Sequence, residues 1–477
     1  MSRLSLRPGP LVAWSAVAIA AIVVGWSLPI DDFWLSIASG RAIAEGERID
    51  AALPFSWTDE VAGALNPQWG SQVLLGAHGS VGVALAVNAS LLAAGMGLSV
   101  LRATRRASGM AVSVALLLVL AALAPHLLAR AQSFSIALFP LALLLLDRYT
   151  TRRWLPVAYG LLMVVWANLH GGFVIGQLAA VVWLVAAVLE RRKPWVSAAV
   201  VVAAALAPLA NPVGPALLAY AYGQPATSVV TSISVEWQPS WPWIAVAMPF
   251  WGILLAFVAG RVRGRPRANG SPLADVLLAS LLGLLAISAI RHIPWFLLAA
   301  LPILAADVDR GLRALPRVAQ ALRGFPPGLS PPRVWRTLGA LGVLVLVFQV
   351  ARPALPAGLA RLTPDEPAAA ADELATLARD GDRVLNEQVW GGYLAHRMWP
   401  QLETAMDGRL EIRSRSTWDS YFSLMQARDD PSAVLAERGV GWALIGVDRG
   451  PLRGELEGAG WEVLRDDGYA VLLRAPD

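Results

Sequence analysis

Cysteine is absent from this chain, so it has neither disulfides nor thiolate metal sites. Charge is scarce too: Asp, Glu, Lys and Arg together make up 15% of the 477 residues, where a soluble domain of this length carries about 25%. The 5 histidines are scattered, and no carboxylate cluster stands out beyond one adjacent pair, Asp31-Asp32. No metal centre is therefore expected from the composition. No internal repeat is visible, and the lack of inverted repeats argues against a secondary transporter. Ionisable groups inside apolar runs are few. Asp275 and Asp307 lie near run ends, while Gln132 and Gln177 are neutral, which argues against proton coupling.

Apolar residues are what the chain has in abundance, at 56%, with a mean hydropathy of +0.54. Runs of about 17–25 apolar residues recur, the length that crosses a bilayer. Window length and breaker residues predict about 11 spans: 11–28, 72–100, 110–125, 132–146, 154–169, 173–189, 195–210, 243–260, 273–290, 293–306 and 336–351. The run 72–100 contains His78, Gly79 and Gly82 and also reads as an interfacial helix followed by a span. No small-residue cleavage site follows the first span, which reads as a retained anchor. The fold class expected is a polytopic α-helical membrane protein with a small C-terminal α/β domain.

Loop charges set the expected orientation. Arg3 and Arg7 precede the first span; Arg102, Arg105 and Arg106, then Arg148, Arg152 and Arg153, then Arg191, Arg192 and Lys193, then Arg261, Arg263, Arg265 and Arg267 fall at every second boundary, as does the segment Arg310 to Arg336. The positive-inside rule then puts the N-terminus in the cytoplasm and the tail outside it. The net charge of +5 is accounted for by these loops. No basic, aromatic-interleaved patch stands apart from them, so no nucleic-acid partner is expected. The same rule puts the Asp31-Asp32 loop, Arg130, Asn168 to Gly172, Asn211 to Trp243 and Arg291-His292 outside the cytoplasm.

The chain divides into residues 1–352, a membrane part whose first outer loop is 29–71, a proline-bearing linker at 353–367, and an α/β domain at 368–477. In the tail, helices are expected near 368–378, 415–426 and 432–438, and strands near 383–386, 402–406, 442–447, 462–464 and 469–473, with a further helix between the last-named strand pair's predecessors, 442–447 and 462–464.

Asp31-Asp32 opens the first outer loop. Phe33, Trp34, Ile37, Ala38, Arg41 and Ala44 follow on one side of a helix, with Gly46 as its stop. This reads as an amphipathic helix in the interface, with Trp34 at headgroup depth. One carboxylate as an N-cap is worth about 1 kcal/mol. The second has no such role, and two like charges side by side raise one pKa, which suits a base. Cap and base both remain open on these residues alone.

Asp31-Asp32-Phe33-Trp34, Gly40-Arg41, Pro54-Phe55-Ser56-Trp57-Thr58 and Gln68-Trp69 together resemble bacterial integral-membrane glycosyltransferases of the GT-C type, and more closely the branch related to protein O-mannosyltransferases. Asn168-Leu169-His170-Gly171-Gly172, Asn211-Pro212, Glu236-Trp237, Trp390-Gly391-Gly392-Tyr393-Leu394 and Asp407-Gly408-Arg409 fit as well. Two positions depart from that pattern: Leu53 stands where relatives often have Asp, and Ser36 where they often have His.

The resemblance implies inverting transfer of a hexosyl or pentosyl group from a polyprenyl-phosphate donor to the hydroxyl of a glycan or protein acceptor, on the extracytoplasmic face of a bacterial plasma membrane. Asp31 or Asp32 would be the base. A phosphate leaving group needs donors nearby, and Arg130, Arg291 and His292 are the candidates, with headgroup snorkelling as the alternative. Trp34, Arg41, Gln68, Trp69, Asn168, His170, Glu236 and Trp237 are the candidates for sugar or acceptor contact. No cofactor is expected; a divalent ion held by Asp31, Asp32 and phosphate is the alternative. Asp407-Gly408-Arg409 reads most simply as a turn after a strand. The rival functions are a transporter or flippase of lipid-linked glycans and a non-catalytic cell-envelope assembly partner.

Overall fold

The computed structural model describes residues 28–147, 153–223, 228–244, 247–262, 273–315, 344–354, 366–428 and 430–476. The first expected span up to residue 27, the start of the last one, most of the linker, and Arg3, Arg7, Arg148, Arg152, Arg263, Arg265 and Arg267 lie outside them. The chain forms two compact units. One holds 85–226 and 231–351; the other joins 28–84 and 227–230 to 352–477. The first loop and the tail thus belong to a single unit.

That second unit begins with α1 (Asp31–Ala44) and α2 (Trp69–Gly76). Asp31 and Asp32 occupy the first turn of α1 and Arg41 the last, each complementing the helix dipole. The N-cap is Ile30, and no side chain caps the helix. The cap expected of one carboxylate is therefore not made: both sit one position or more too far into the helix. Gly46, just past the end, takes a φ of +115°. α1 is also not an interfacial amphipathic helix. Phe33 through Gly40 are buried without interruption, because α2 covers one side and a tail helix another. A Cβ on Gly40 would lie 1.9 Å from the Gln72 carbonyl oxygen, so only glycine permits the α1–α2 crossing.

The other unit is helical. Its main elements are α3 (Val81–Thr104), α4 (Gly109–Leu123), α5 (Gln132–Leu146), α6 (Leu155–Leu169), α7 (Phe173–Leu189), α8 (Trp195–Leu206), α9 (Met248–Val262), α10 (Leu273–Ser288) and α11 (Ile293–Arg313). Among the described residues three helices, Val81–Thr104, Gly109–His126 and Ile290–Arg313, are long and apolar enough to cross a membrane, and seven shorter apolar helices accompany them. The expected run 72–100 splits into α2 and α3 at Ala77–Ser80, where Gly79 takes a φ of +70°. Trp166, Trp183, Phe173 and Phe296 centre the apolar core. Asp275 is 1% exposed and ion-paired with Arg102 and Arg106. Asp147 also pairs with Arg102, at 2.9 Å. Two cations and two anions are thus matched, as burial demands.

In the tail, α12 (Ala368–Leu377) precedes β1 (Asp382–Asn386), α13 (Gly391–Met398), β2 (Leu402–Thr404), α14 (Arg415–Met425), α15 (Pro431–Glu437), β3 (Trp442–Gly446), α16 (Gly450–Gly458), β4 (Glu462–Asp466) and β5 (Ala470–Arg474). The sheet order is β2-β1-β3-β5-β4. β2, β1 and β3 run parallel, with Val384 opposite both Thr404 and Trp442; β5 is antiparallel to β3 and β4. β3 is buried along its whole length, the continuous apolar run of a central strand. The free edge of β2 is closed by the first loop. The Thr404 amide donates to the Phe55 carbonyl, and the Trp57 amide to the Thr404 carbonyl, both at 3.0 Å. Pro54 to Thr58 therefore covers an edge that would otherwise template pairing with another chain.

Candidate active site

The carboxylate centre is built by three segments of one unit: the start of α1, the start of α13 and the turn after β2. The Gly392 amide donates to Asp31 Oδ1 at 2.5 Å. Asp31 Oδ2 is buried and accepts no hydrogen bond. A Cβ on Gly408 would lie 2.5 Å from that oxygen and 3.0 Å from Asp32 Oδ1, so both carboxylates converge on this glycine. Burial, then the negative charges of Asp32, Asp407 and Glu366, push the Asp31 carboxyl well above the usual range, against the pull of the Gly392 amide.

Asp407 is the opposite case. Burial alone would raise its pKa, yet Arg409 and Arg413 hold it ionised, below the usual carboxylate range. Arg409 Nη2 reaches Asp407 Oδ2 at 2.6 Å, and Arg409 Nη1 reaches the Leu53 carbonyl at 2.7 Å. Arg413 Nε donates to Thr58 Oγ1 at 3.0 Å, and its Nη2 donates to Ser56. Glu60 adds a second anion to Arg409, at 3.4 Å. Asp407-Gly408-Arg409 is thus more than a turn: it ties the Pro54–Thr58 stretch to the tail while its glycine touches the carboxylates. Leu53, a departure from the expected pattern, enters through its backbone carbonyl.

Trp34 is 3% exposed, covered by protein on all sides. Its indole N–H donates to Glu366 Oε1 at 2.8 Å, and its ring stacks on His396 with centroids 5.2 Å apart. An indole committed in this way has no surface for a sugar, so its expected contact role is corrected to a structural one. Arg41 Nη2 donates to the Trp399 carbonyl at 3.0 Å. Gln68 is the N-cap position of α2 and Trp69 its first residue, both half-buried. Burial, with Arg41 and Arg397, lowers His396 to about 4, so it stays neutral near pH 7. Glu366, His396 and Arg413 were not singled out from the sequence. Their signal was weak, since each lies far along the chain from the group it serves.

In the helical unit a second polar cluster forms. Arg130, 9% exposed, pairs through Nη1 with Glu236 Oε1 at 2.6 Å and donates to Gln132. A buried, ion-paired guanidinium is not snorkelling. Arg291 lies over the Trp237 ring at 4.0 Å, a cation–π distance, and His292 meets the same ring edge-on at 6.4 Å. Glu236 and Trp237 thus each engage one of the two arginines. Burial alone would raise the pKa of Glu236, but Arg130 and Arg291 lower it.

His170 Nδ1 accepts from the Gly172 amide at 2.9 Å and lies 2.7 Å from Ser135 Oγ. An amide only donates, so the proton of the neutral ring is on Nε2. Burial, with Arg291 and Arg130, lowers His170 to about 3. Asn168 Nδ2 folds back onto the Val164 carbonyl at 2.8 Å, which uses one of its two N–H groups. Among the described residues no group of three His, Asp or Glu side chains is arranged to hold a metal ion.

The chain is similar to two solved structures of ArnT from Cupriavidus metallidurans. The apo form aligns with a TM-score of 0.53 at 15% identity, covering 98% of this chain and 98% of that one. The form bound to undecaprenyl phosphate aligns at 0.52 and 15%, covering 98% and 99%. The archaeal oligosaccharyltransferase AglB from Archaeoglobus fulgidus aligns at 0.49 and 12%, covering 97% and 74%. No protein-family model matches the chain, and no curated protein does. The likeness to ArnT over nearly the whole length gives this chain a GT-C-type fold.

Proposed function

We propose that this protein is a multi-pass membrane glycosyltransferase that moves a hexosyl or pentosyl group from a polyprenyl-phosphate donor to an acceptor hydroxyl on the extracytoplasmic face. A carboxylate of the Asp31-Asp32 pair takes the proton of the acceptor hydroxyl as its oxygen attacks the anomeric carbon. The bond from that carbon to the phosphate oxygen breaks with inversion, and polyprenyl phosphate leaves. Arg130 and Arg291 supply positive charge for the departing phosphate, with His292 beside them. The tail is read as an extracytoplasmic α/β domain, and the acceptor as a glycan or protein.

The observation that carries this reading is the carboxylate centre itself: two adjacent aspartates, one with a buried oxygen that accepts no hydrogen bond, held by backbone rather than by a cation. Most buried carboxylate oxygens are hydrogen-bonded. The GT-C-type fold supports the reading, as does the undecaprenyl phosphate carried by one of the ArnT structures.

The test is direct. Purified full-length protein in liposomes is given a panel of undecaprenyl-phosphate sugars with cell-envelope fractions as acceptors, and release of undecaprenyl phosphate is followed. Transfer that is lost in both Asp31→Asn and Asp32→Asn supports the reading; full activity in both variants overturns it.

A further inference from the structure

Asp31 and Asp32 come from one helix turn, but what surrounds them comes from elsewhere. Asp31 Oδ1 is fixed by the Gly392 amide at the start of α13. Its other oxygen faces Gly408, whose missing side chain leaves a gap that both carboxylates enter. Gly408 does not take a left-handed backbone, so an alanine would fit the chain and press only on the two carboxylates. Beside it, Asp407 is locked by Arg409 and Arg413. Those same arginines grip Leu53, Ser56 and Thr58 of the first loop. A simple loop-to-tail clamp would need the arginine contacts. It would not need a glycine against Asp31, nor an ionised Asp407 beside a second buried carboxyl, which is costly.

We propose that the Asp407-Gly408-Arg409 turn is the positioning element of the first-loop carboxylates, fixing Asp31 between the Gly392 amide and Gly408 and setting the place of the Asp31-Asp32 pair. This rests on the proposed glycosyl transfer for its meaning, though not for its measurement. The groups facing Asp31 can be enumerated. Asp32 lies on its own helix, Asp407 follows β2 with Arg409 and Arg413 behind it, and Glu366 precedes α12, where it accepts from Trp34. From α13 come the Gly392 amide and, beyond Trp34, the neutral His396. The nearest charges acting on Asp31 are thus negative, and Asp407 is the one whose ionisation the tail enforces.

The experiment is an infrared titration of the full chain in detergent. The carbonyl stretch of the protonated Asp31 carboxyl is identified by its loss in Asp31→Asn. In Asp407→Asn, which removes one facing negative charge, the midpoint of that band should fall by about one pH unit. In Gly408→Ala the band should change frequency and its midpoint should move. If sugar transfer is established, kcat in Gly408→Ala should drop about 10–100-fold with the donor KM held within about twofold. Should Asp407→Asn fail to fold, Gly408→Ala decides, since it keeps every ion pair. A band and midpoint identical to wild type in Gly408→Ala, with a native melting transition, overturn the proposal. If wild type transfers no sugar from any polyprenyl-phosphate donor, the functional reading falls while the titration still decides the positioning role.

Discussion

The amide of Gly392 donates to Asp31 Oδ1 at 2.5 Å, joining residues 361 positions apart. Gly392 lies in the first turn of α13, where backbone N–H groups have no partner within their own helix. In many α/β units that position holds a bound anion. Here it is occupied by the chain's own carboxyl group, which couples the chemistry of the first loop to the fold of the tail.

Asp31→Asn and Asp32→Asn are each expected to lower transfer by about 100-fold or more, the size of a general-base contribution, while the protein stays folded. Stability against pH separates Asp31 from ordinary carboxylates. Its folded pKa is raised, so the native state binds the proton more tightly than the unfolded chain does. Stability is then full below the unfolded carboxylate value of about 4 and declines as pH rises through the folded value. Asp31→Asn mimics the protonated form and removes that decline. Melting temperatures of the two proteins, measured from acid to alkaline pH, should diverge in favour of the variant as pH rises.

His170 and His396 give a slope of the opposite sign. Their folded values are lowered to about 3 and about 4, so the unfolded chain binds protons first. Stability from these groups is present above about pH 6.5 and is lost as pH falls below it. His396→Phe, which keeps a ring against Trp34, should flatten the acid limb of the melting curve. Histidine NMR should show the His170 ring neutral at pH 5, with its proton on Nε2; a charged ring at that pH would contradict the lowered value.

Glu236 separates two roles for the arginine cluster. If Arg130 serves phosphate, Glu236→Gln relieves its competing anion, and binding of an undecaprenyl-phosphate sugar should hold or tighten. Arg130→Ala and Arg291→Ala should weaken the same binding about 10–100-fold, the worth of a charge-assisted hydrogen bond. A titration of lipid-linked donor into each variant reads this. Weakening in Glu236→Gln would instead assign that carboxylate to the sugar.

Gly40→Ala tests the α1–α2 crossing. Its Cβ would fall 1.9 Å from a backbone oxygen that cannot move alone, so the helices must separate. A loss of about 1–3 kcal/mol is expected, seen as a lower melting temperature. Gly46→Ala, where a Cβ meets nothing within 4 Å but φ is +115°, should act on α1 only through its stop.

Some of this was written plainly along the chain. Apolar runs marked most helices to within a few residues, because a helix of lipid-crossing composition carries its own hydrogen bonds and reads locally. In the tail, strands alternating with helices were legible because short apolar runs bounded by turn residues are a local pattern. α13 was missed, since Gly391-Gly392 disfavours helix in isolation; a Cβ on Gly391 would lie 2.0 Å from the Met406 carbonyl oxygen, so packing against the strand-end segment explains the glycine. The burial of Trp34 was not legible because helical spacing tells which residues share a face, not how many faces are covered.

The sequence by itself determined that this is an apolar, helix-rich chain with one conspicuous carboxylate pair and a tail of different character, because composition and period are properties of neighbouring residues. Only the tertiary structure decided that Asp31 is held by Gly392 and faced by Gly408, that Asp407 is kept ionised by Arg409 and Arg413, and that Arg130 meets Glu236. Those relationships join segments as much as 361 residues apart. Electrostatic environment depends on distance in space, to which separation along the chain is no guide.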